Sequence, residues 1–350
     1  MPTVADIANV LAEWAPPALA WEKDNIGLLV GSAAAEVHGI AVTLDVTLDV
    51  VDEARRRNAD LIVTHHPLMF HPVRTVRTDS GEGAVIAELI RQGISLLAVH
   101  TNADATEGGV NAALAGRLAL TNVRPLQPAE GMWQRIEALV ELPREQRAGI
   151  VRSLQASGVH ACRESGDSER GVIVLEIPVW RSMDVCRELE LRVGDALSAL
   201  STMKLERSGA TFGMGAVGEL GVPLPVEDFL EHVRRALDAA VLRVSAGERR
   251  GAVRHVALCG GAGASSLHAA ASAGADAYVT ADLSYHVFRE YGERMLIVDA
   301  GHYETEQVFL GLCVDVLRRN RFLSSAEIGI FPVETRTNAV RMFPYMQETP

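Results

Sequence analysis

"GIAVTLDVTLDVVDEARRRNADLIVTHHP", residues 39 to 67, decides the fold. Two short aliphatic runs, "GIAVTLDV" and "DLIVTH", flank a stretch of helical periodicity, "TLDVVDEARRRNA". Apolar runs of about four to eight residues separated by amphipathic helices are the signature of a parallel sheet covered on both faces. The alternation continues outward through the helix-like "GEGAVIAELIRQG", the strand-like "ISLLAVHTN" and "GGVNAALAGRLAL". It resumes near Pro225: "VEDFLEHVRRALDA" reads as a helix, "VRHVALCGG" as a strand, "ASSLHAAASAG" as a helix, "ADAYVTAD" and "ERMLIVDAGH" as strands, and "TEQVFLGLCVDVLRRN" as a long helix. The two stretches read as halves of one α/β unit. The opening "MPTVADIANVLAEWAPPALA" lacks a basic leader and carries Asp6 and Glu13 within its apolar periodicity, so it reads as an amphipathic first helix.

Residues 128 to 206 follow another order. "RIEALVEL", a weaker strand near Val159 to Arg163, "GVIVLEIPVW" and "STMKLE" are strand candidates; "PREQRAGIVRSLQASG" and "SMDVCRELELRVGDALSAL" are helices. The sum is β-α-β-β-α-β, the ferredoxin-like order. We read it as an α+β domain inserted into an α/β core formed by residues 1–127 and 207–350. The bounding segments, "RPLQPAEG" and the glycine-rich "RSGATFGMGAVGELGVPLP", read as turns.

Composition narrows the function. The chain has 350 residues, 48% hydrophobic and 22% charged, which is globular, and no window resembles a membrane span. A formal net charge of −12 disfavours nucleic-acid binding, which needs a basic face. Only Lys23 and Lys204 are lysines, and neither follows a glycine-rich loop, which excludes a P-loop NTPase. Cys162, Cys186, Cys259 and Cys313 are scattered, so they read as buried apolar residues rather than as disulfides or thiolate zinc ligands. These features together place the protein in the cytoplasm.

Three histidine-bearing segments stand at expected strand ends: "THHPLMF" with His65 and His66, "AVHTNAD" with His100 and Asp104, and "VDAGHYETE" with His302, Glu304 and Glu306. Ligands of open α/β sheets bind at the carboxyl ends of strands, so all three converge on one rim. Imidazoles with carboxylates and no thiolates suit zinc, iron, manganese, nickel or cobalt. If "HYETEQVFLGL" opens a helix, His302 and Glu306 share a face at i and i+4 while Glu304 points elsewhere. Adjacent His65 and His66 diverge along a regular strand, so a shared site requires the chain to turn at Pro67, and two metals could take one each. Thr101, Asn102 and Thr106 offer supporting hydrogen bonds.

Other polar groups are weighed against plainer roles. In "TADLSYH", His286 is a candidate proton donor with Asp282 as a cap or orienting carboxylate. Asp24 and Asn25 could form a wall of the site, and "CGGAGASS" could present backbone N–H groups to an anion. His71 is a rim candidate, whereas His38, His160, His232, His255 and His268 read as structural residues.

"WEKDNIGLLVG", "THHPLMF", "AVHTNADATEGGVNAALAGRL", "GAVGEL", "TADLSYH" and "GHYETE" together resemble the NGG-interacting-factor-three-like family, whose members carry the label GTP cyclohydrolase I type 2 homologue. The resemblance covers about residues 1 to 125 and 207 to 345. It implies a dinuclear metal site on an α/β fold, held by His65, His66, Asp104, His302 and a bridging Glu306, with His100 beside it. It also implies a toroidal homohexamer with sites facing an interior cavity, and a domain like the signalling protein PII as the insertion. Where relatives commonly read Gly-Asp before "YH", this chain has Ala281 and Asp282 nearby. Two divalent ions would keep the site electropositive beyond the charges of Asp104 and Glu306, lower the pKa of a water and favour hydrolysis of a nucleotide or related small molecule. His100 or His286 could supply a proton. The alternative is a non-catalytic metal-binding assembly or regulatory interaction protein.

Overall fold

The computed structural model describes residues 1–156, 159, 161–206, 211–246 and 251–342. The chain divides into two compact units: Met1–Pro128 with Thr211–Pro350, and Ala129–Ala210.

In the first unit, strands Gly27–Val30, Ser95–Ala98, Leu61–Thr64, Gly39–Thr43 and Gly329–Pro332 lie side by side in that order. Only the first pairing is antiparallel. Every residue of the three central strands is buried, which explains why their sequences are continuously apolar instead of alternating. One face packs Val42 and Val63 against Ile7 and Leu11 of helix Val4–Trp14 and Phe309 and Leu317 of helix Val308–Arg319. The other packs Ala41 and Ile62 against Val50 of helix Leu48–Arg56 and Leu89 of helix Gly81–Gln92. Asp6, read from sequence as part of the first helix's polar face, also closes a capping box with Thr3.

Apart from Gly329–Pro332, which returns to this sheet, the strands that this unit takes from the second half of the sequence build another, joined by Leu120–Pro128 from the first half. Its order is Arg243–Val244, Leu296–Asp299, Ala277–Ala281, Ala252–Ala262, Gly213–Pro225 and Leu120–Pro128. Ala252–Ala262, Ala277–Ala281 and Leu296–Asp299 run parallel, and the three flanking pairings are antiparallel. Gly213–Pro225 corrects the reading of "GMGAVGELGVPLP" as a turn: it is a strand paired along both edges. Its glycines serve close approach, since a Cβ on Gly218 would lie 2.8 Å from the carbonyl oxygen of Thr121. "RPLQP" likewise belongs to strand Leu120–Pro128. Composition misled here because small residues that suit crowded strands also suit turns.

The second unit holds one four-stranded antiparallel sheet in the order Ala161–Gly166, Gly171–Pro178, Trp133–Val140, Leu197–Leu205. Helices Arg144–Ala156 and Ser182–Val193 complete the ferredoxin-like arrangement. Ile136, Ile173 and Leu175 pack with Leu154 and Leu189 in its core. Arg147 is fully buried there, donating to the carbonyls of Leu142 (2.7 Å) and Asp167 (2.8 Å) and to Glu164 (3.1 Å).

All four cysteines are free thiols, and Cys162, Cys259 and Cys313 are buried. Among the described residues, no helix is long and apolar enough to cross a membrane.

Candidate metal centre

In the first unit, the carboxyl ends of strands from both sheets face one another across a cleft. His65 and His66 follow strand Leu61–Thr64, and His100 opens the short helix Thr101–Ala105 beyond strand Ser95–Ala98. From the second sheet, strand Leu296–Asp299 leads through Gly301, at φ 93°, into helix His302–Glu306. The histidine pair lies just beyond the end of its strand, where the chain bends, so both rings enter the cleft with centroids 5.1 Å apart. The ring centroids of His66 and His302 are also 5.1 Å apart, and those of His65 and His100 are 5.2 Å apart.

Each imidazole is fixed from outside through Nδ1. His65 Nδ1 faces the carbonyl oxygen of Val99 at 3.0 Å. The Nδ1 atoms of His66, His100 and His302 face carboxylates: Asp45 (2.8 Å), Asp24 (2.9 Å) and Asp282 (2.6 Å) respectively. A carbonyl or carboxylate oxygen only accepts, so each Nδ1 carries a hydrogen, and in the neutral ring each Nε2 keeps a lone pair for the cleft.

The inward atoms are crowded acceptors. Glu306 Oε2 lies 2.9 Å from His66 Nε2 and 3.1 Å from His302 Nε2, and those two nitrogens are 3.3 Å apart. His65 Nε2 stands 3.7 Å from Asp104 Oδ1 and 3.8 Å from Glu306 Oε1. His65 Nε2 and Asp104 Oδ1 are buried with no hydrogen-bond partner. A buried polar atom without a partner is costly, and converging lone pairs and carboxylates require positive charge between them. A divalent cation could supply it, and this donor set of imidazole and carboxylate suits one. Two groups, His65 with His66 and His100, and His66 with His302 and Glu306, have spacing suited to holding a metal ion.

The same demand for positive charge appears in the protonation equilibria. Burial opposes a charged His66, yet its hydrogen bonds to Asp45 and Glu306 prevail and raise its pKa to about 10. His302 rises to about 9, chiefly through its hydrogen bond to Glu306 and against burial. Burial pushes Asp104 above the carboxylate range. Glu306 is buried as well, but hydrogen bonds with His302 and His66 hold it well below that range.

Supporting residues tie the cleft to the scaffold. Thr101 N and Oγ1 donate to the buried Asp24, Asn102 Oδ1 accepts from His100 N, and Thr106 Oγ1 donates to the carbonyl of Trp14. Asn111 joins the two sheets' contributions: its Nδ2 donates to the carbonyl of Asp104 (3.0 Å) and its Oδ1 accepts from Gly260 N (2.9 Å). Gly261 N donates to Thr305 Oγ1. The N–H groups of Gly260 and Gly261 in "CGGAGASS" are therefore already paired, contrary to the expectation of an anion loop. Gly261, at φ 62°, instead makes room for Glu306: a Cβ there would overlap Oε1 and lie 3.1 Å from His302 Nε2.

Sequence reasoning placed His65, His66, His100, Asp104, His302 and Glu306 near one another, and the fold brings all six to this cleft. Glu304 turns away to accept from Asn338 Nδ2. Asp282 orients His302 rather than His286, which is exposed on helix Tyr285–Tyr291 beside Tyr285 and outside the hydrogen-bonded cluster. His71 is exposed next to Phe70. His38 pairs with Asp60 and His232 with the carbonyl of Leu118, as structural histidines do, whereas His160 lies outside the described residues. Asp45, Asn111 and Gly261 were missed. Asp45 follows its strand as "TLDV", a position shared by many capping residues, and only the fold reveals its histidine partner.

Comparison with known proteins adds to this geometry. The chain is 30% identical over 366 residues to a GTP cyclohydrolase 1 type 2 homolog of Bacillus subtilis, covering 95% of this chain and 96% of that protein. A second protein of that name, from Halalkalibacterium halodurans, is 29% identical over 328 residues, covering 85% of this chain and 87% of the relative. The crystal structure of a Bacillus cereus protein related to NIF3 superposes with a TM-score of 0.87 at 29% identity, covering 97% of this chain and 99% of that one. The family model Duf34/NIF3 (NGG1p interacting factor 3) matches residues 2–339, and the chain belongs to that family.

Proposed function

We propose that the protein is a divalent-metal-dependent hydrolase that holds two ions in this cleft and acts on a nucleotide or related small molecule. The observation that carries the reading is the buried, unpartnered face formed by His65 Nε2 and Asp104 Oδ1, set beside the acceptor-rich His66–His302–Glu306 group. His65 and Asp104 would hold one ion and His66 and His302 the other, with Glu306 between the two pairs, its Oε1 on the His65 side and its Oε2 on the His66 side. When bound, such ions supply Lewis-acid polarisation and an activated water for hydrolysis. The nucleotide class is supported by the names of the relatives, GTP cyclohydrolase 1 type 2 homologs.

The remaining residues position and move protons. His100, with Nδ1–H held by Asp24, presents Nε2 to the cleft and is the better placed of two proton carriers; His286 sits outside the cluster. Burial disfavours a charged Asp24, but hydrogen bonds from His100 and Thr101 hold it at about 2, so it stays an anion that fixes the His100 tautomer. The family resemblance also implies a homohexamer, testable by light scattering, and a PII-like fold for the ferredoxin-like unit.

The test is a panel of GTP, other nucleotides, phosphoesters and cyclic amides, assayed with zinc, iron, manganese, nickel and cobalt in turn. The proposal expects turnover of at least one substrate that His65→Ala and Asp104→Ala abolish. If no substrate turns over and His65→Ala alters only metal content or assembly, the non-catalytic, regulatory reading replaces it.

A further inference from the structure

Resting on the metal reading above, we propose that Asp45 and Asp282 are positioning residues that set the cation affinity of the His66–His302 half of the cleft, leaving the His65–Asp104 half unaffected. The basis is an asymmetry in what stands behind the three rings taken as ligands, His65, His66 and His302; His100, which Asp24 backs, is the proton carrier and not one of them. His66 and His302, the two imidazoles that meet Glu306 Oε2, each donate Nδ1–H to a carboxylate, at 2.8 Å and 2.6 Å. His65, on the Asp104 side, donates to the neutral carbonyl of Val99 at 3.0 Å. A carboxylate behind an imidazole fixes the ring plane and raises the basicity of the far nitrogen, whereas a carbonyl fixes the plane with less electronic effect.

The two aspartates come from different sheets, which makes the arrangement specific. Asp45 lies two residues past strand Gly39–Thr43 of the first sheet. Asp282 directly follows strand Ala277–Ala281 of the second, in the left-handed region at φ 57°. That conformation is uncommon for residues other than glycine, asparagine and aspartate. Asparagine can therefore replace Asp282 without backbone strain while removing its charge. Their side chains are 41% and 55% exposed, so the neutral variants strand no buried group. Asp24 is less suitable for the test, because its side chain is 1% exposed and it also accepts from Thr101.

The experiment is a stepwise zinc titration of chelator-stripped full-length protein against a chromophoric competitor. It compares wild type, Asp45→Asn, Asp282→Asn and Asp45→Glu. Asp104→Asn serves as a marker of the other half. The proposal expects Asp45→Asn and Asp282→Asn each to weaken one binding step by about 10- to 100-fold, with the other step unchanged and the stripped protein still folded by circular dichroism. It expects Asp45→Glu to recover part of the loss, and the step retained in Asp104→Asn to be the one that Asp282→Asn weakens. Wild-type affinities in both asparagine variants, or an equal loss in both steps, overturn the proposal while leaving the metal reading intact. A wild type that takes up no zinc, or any other divalent ion, overturns the metal reading and this inference with it.

Discussion

At the scale of single residues, the cleft depends on groups that never face a ligand. Gly261 is required by shape: its positive φ and the closeness of Glu306 leave no room for a side chain. Gly261→Ala should displace Glu306 and cost roughly 1–3 kcal/mol in denaturant unfolding, together with a fall in bound metal. Wild-type metal content in a folded Gly261→Ala protein would contradict that role. Asn111 is required by hydrogen bonding, because it is buried and serves both the Asp104 turn and Gly260. Asn111→Ala leaves two buried backbone groups without a partner and should destabilise by about 1–3 kcal/mol. Asn111→Leu should be no better, since the loss is polar and not one of volume; recovery of stability in that variant would show that packing matters more. Neither residue was legible in the sequence. A glycine in "CGG" and an asparagine in "GGVN" look like ordinary turn residues until chain segments far apart in sequence meet around them.

At the scale of elements, the readable features were those set by local periodicity. The helices at residues 48–56, 81–92 and 308–319 and the buried strands at 39–43, 61–64 and 95–98 follow from apolar spacing alone. The pairing of strands was not readable, and the glycine-rich Gly213–Pro225 was mistaken for a turn because its two partners lie about 90 residues before and 40 after it. Helix Leu48–Arg56 carries an unforeseen anchor. Glu53, only 5% exposed in its side chain, accepts from Glu334 N, Thr335 N and Thr335 Oγ1 and pairs with Arg57. Burial alone would raise its pKa, but these bonds hold it at about 2, below its ordinary 4.5. The folded state thus binds this proton more weakly than the unfolded chain. Its contribution is fully present above pH 4.5 and lost as pH falls through 2. Glu53→Gln should lower stability at neutral pH and flatten the decline across that acid window, measured by urea unfolding at several pH values. Parallel wild-type and variant curves would refute the anchor.

At the scale of the whole molecule, six expected site residues from three distant segments meet in one cleft. Their convergence was legible because ligand-bearing residues at strand ends share a rim whatever the intervening loops do. It was not legible that the rim belongs to two sheets, or that three aspartates stand behind the histidines, because those relations are set by packing. Ions that bind the folded chain alone should stabilise it by about 2.7 kcal/mol per site at a hundredfold excess over Kd. Chelation should then lower the melting temperature by roughly 5 °C or more. The most direct test of the central claim is elemental analysis of purified protein after equilibration with a divalent metal and gel filtration. We predict up to two ions per chain for wild type, and a sharp fall for the Asp104→Ala, Glu306→Ala double variant and its Asp104→Asn, Glu306→Gln counterpart, both folded by circular dichroism. Metal content unchanged by these substitutions, or a wild type that retains none of the divalent metals supplied, would contradict the account.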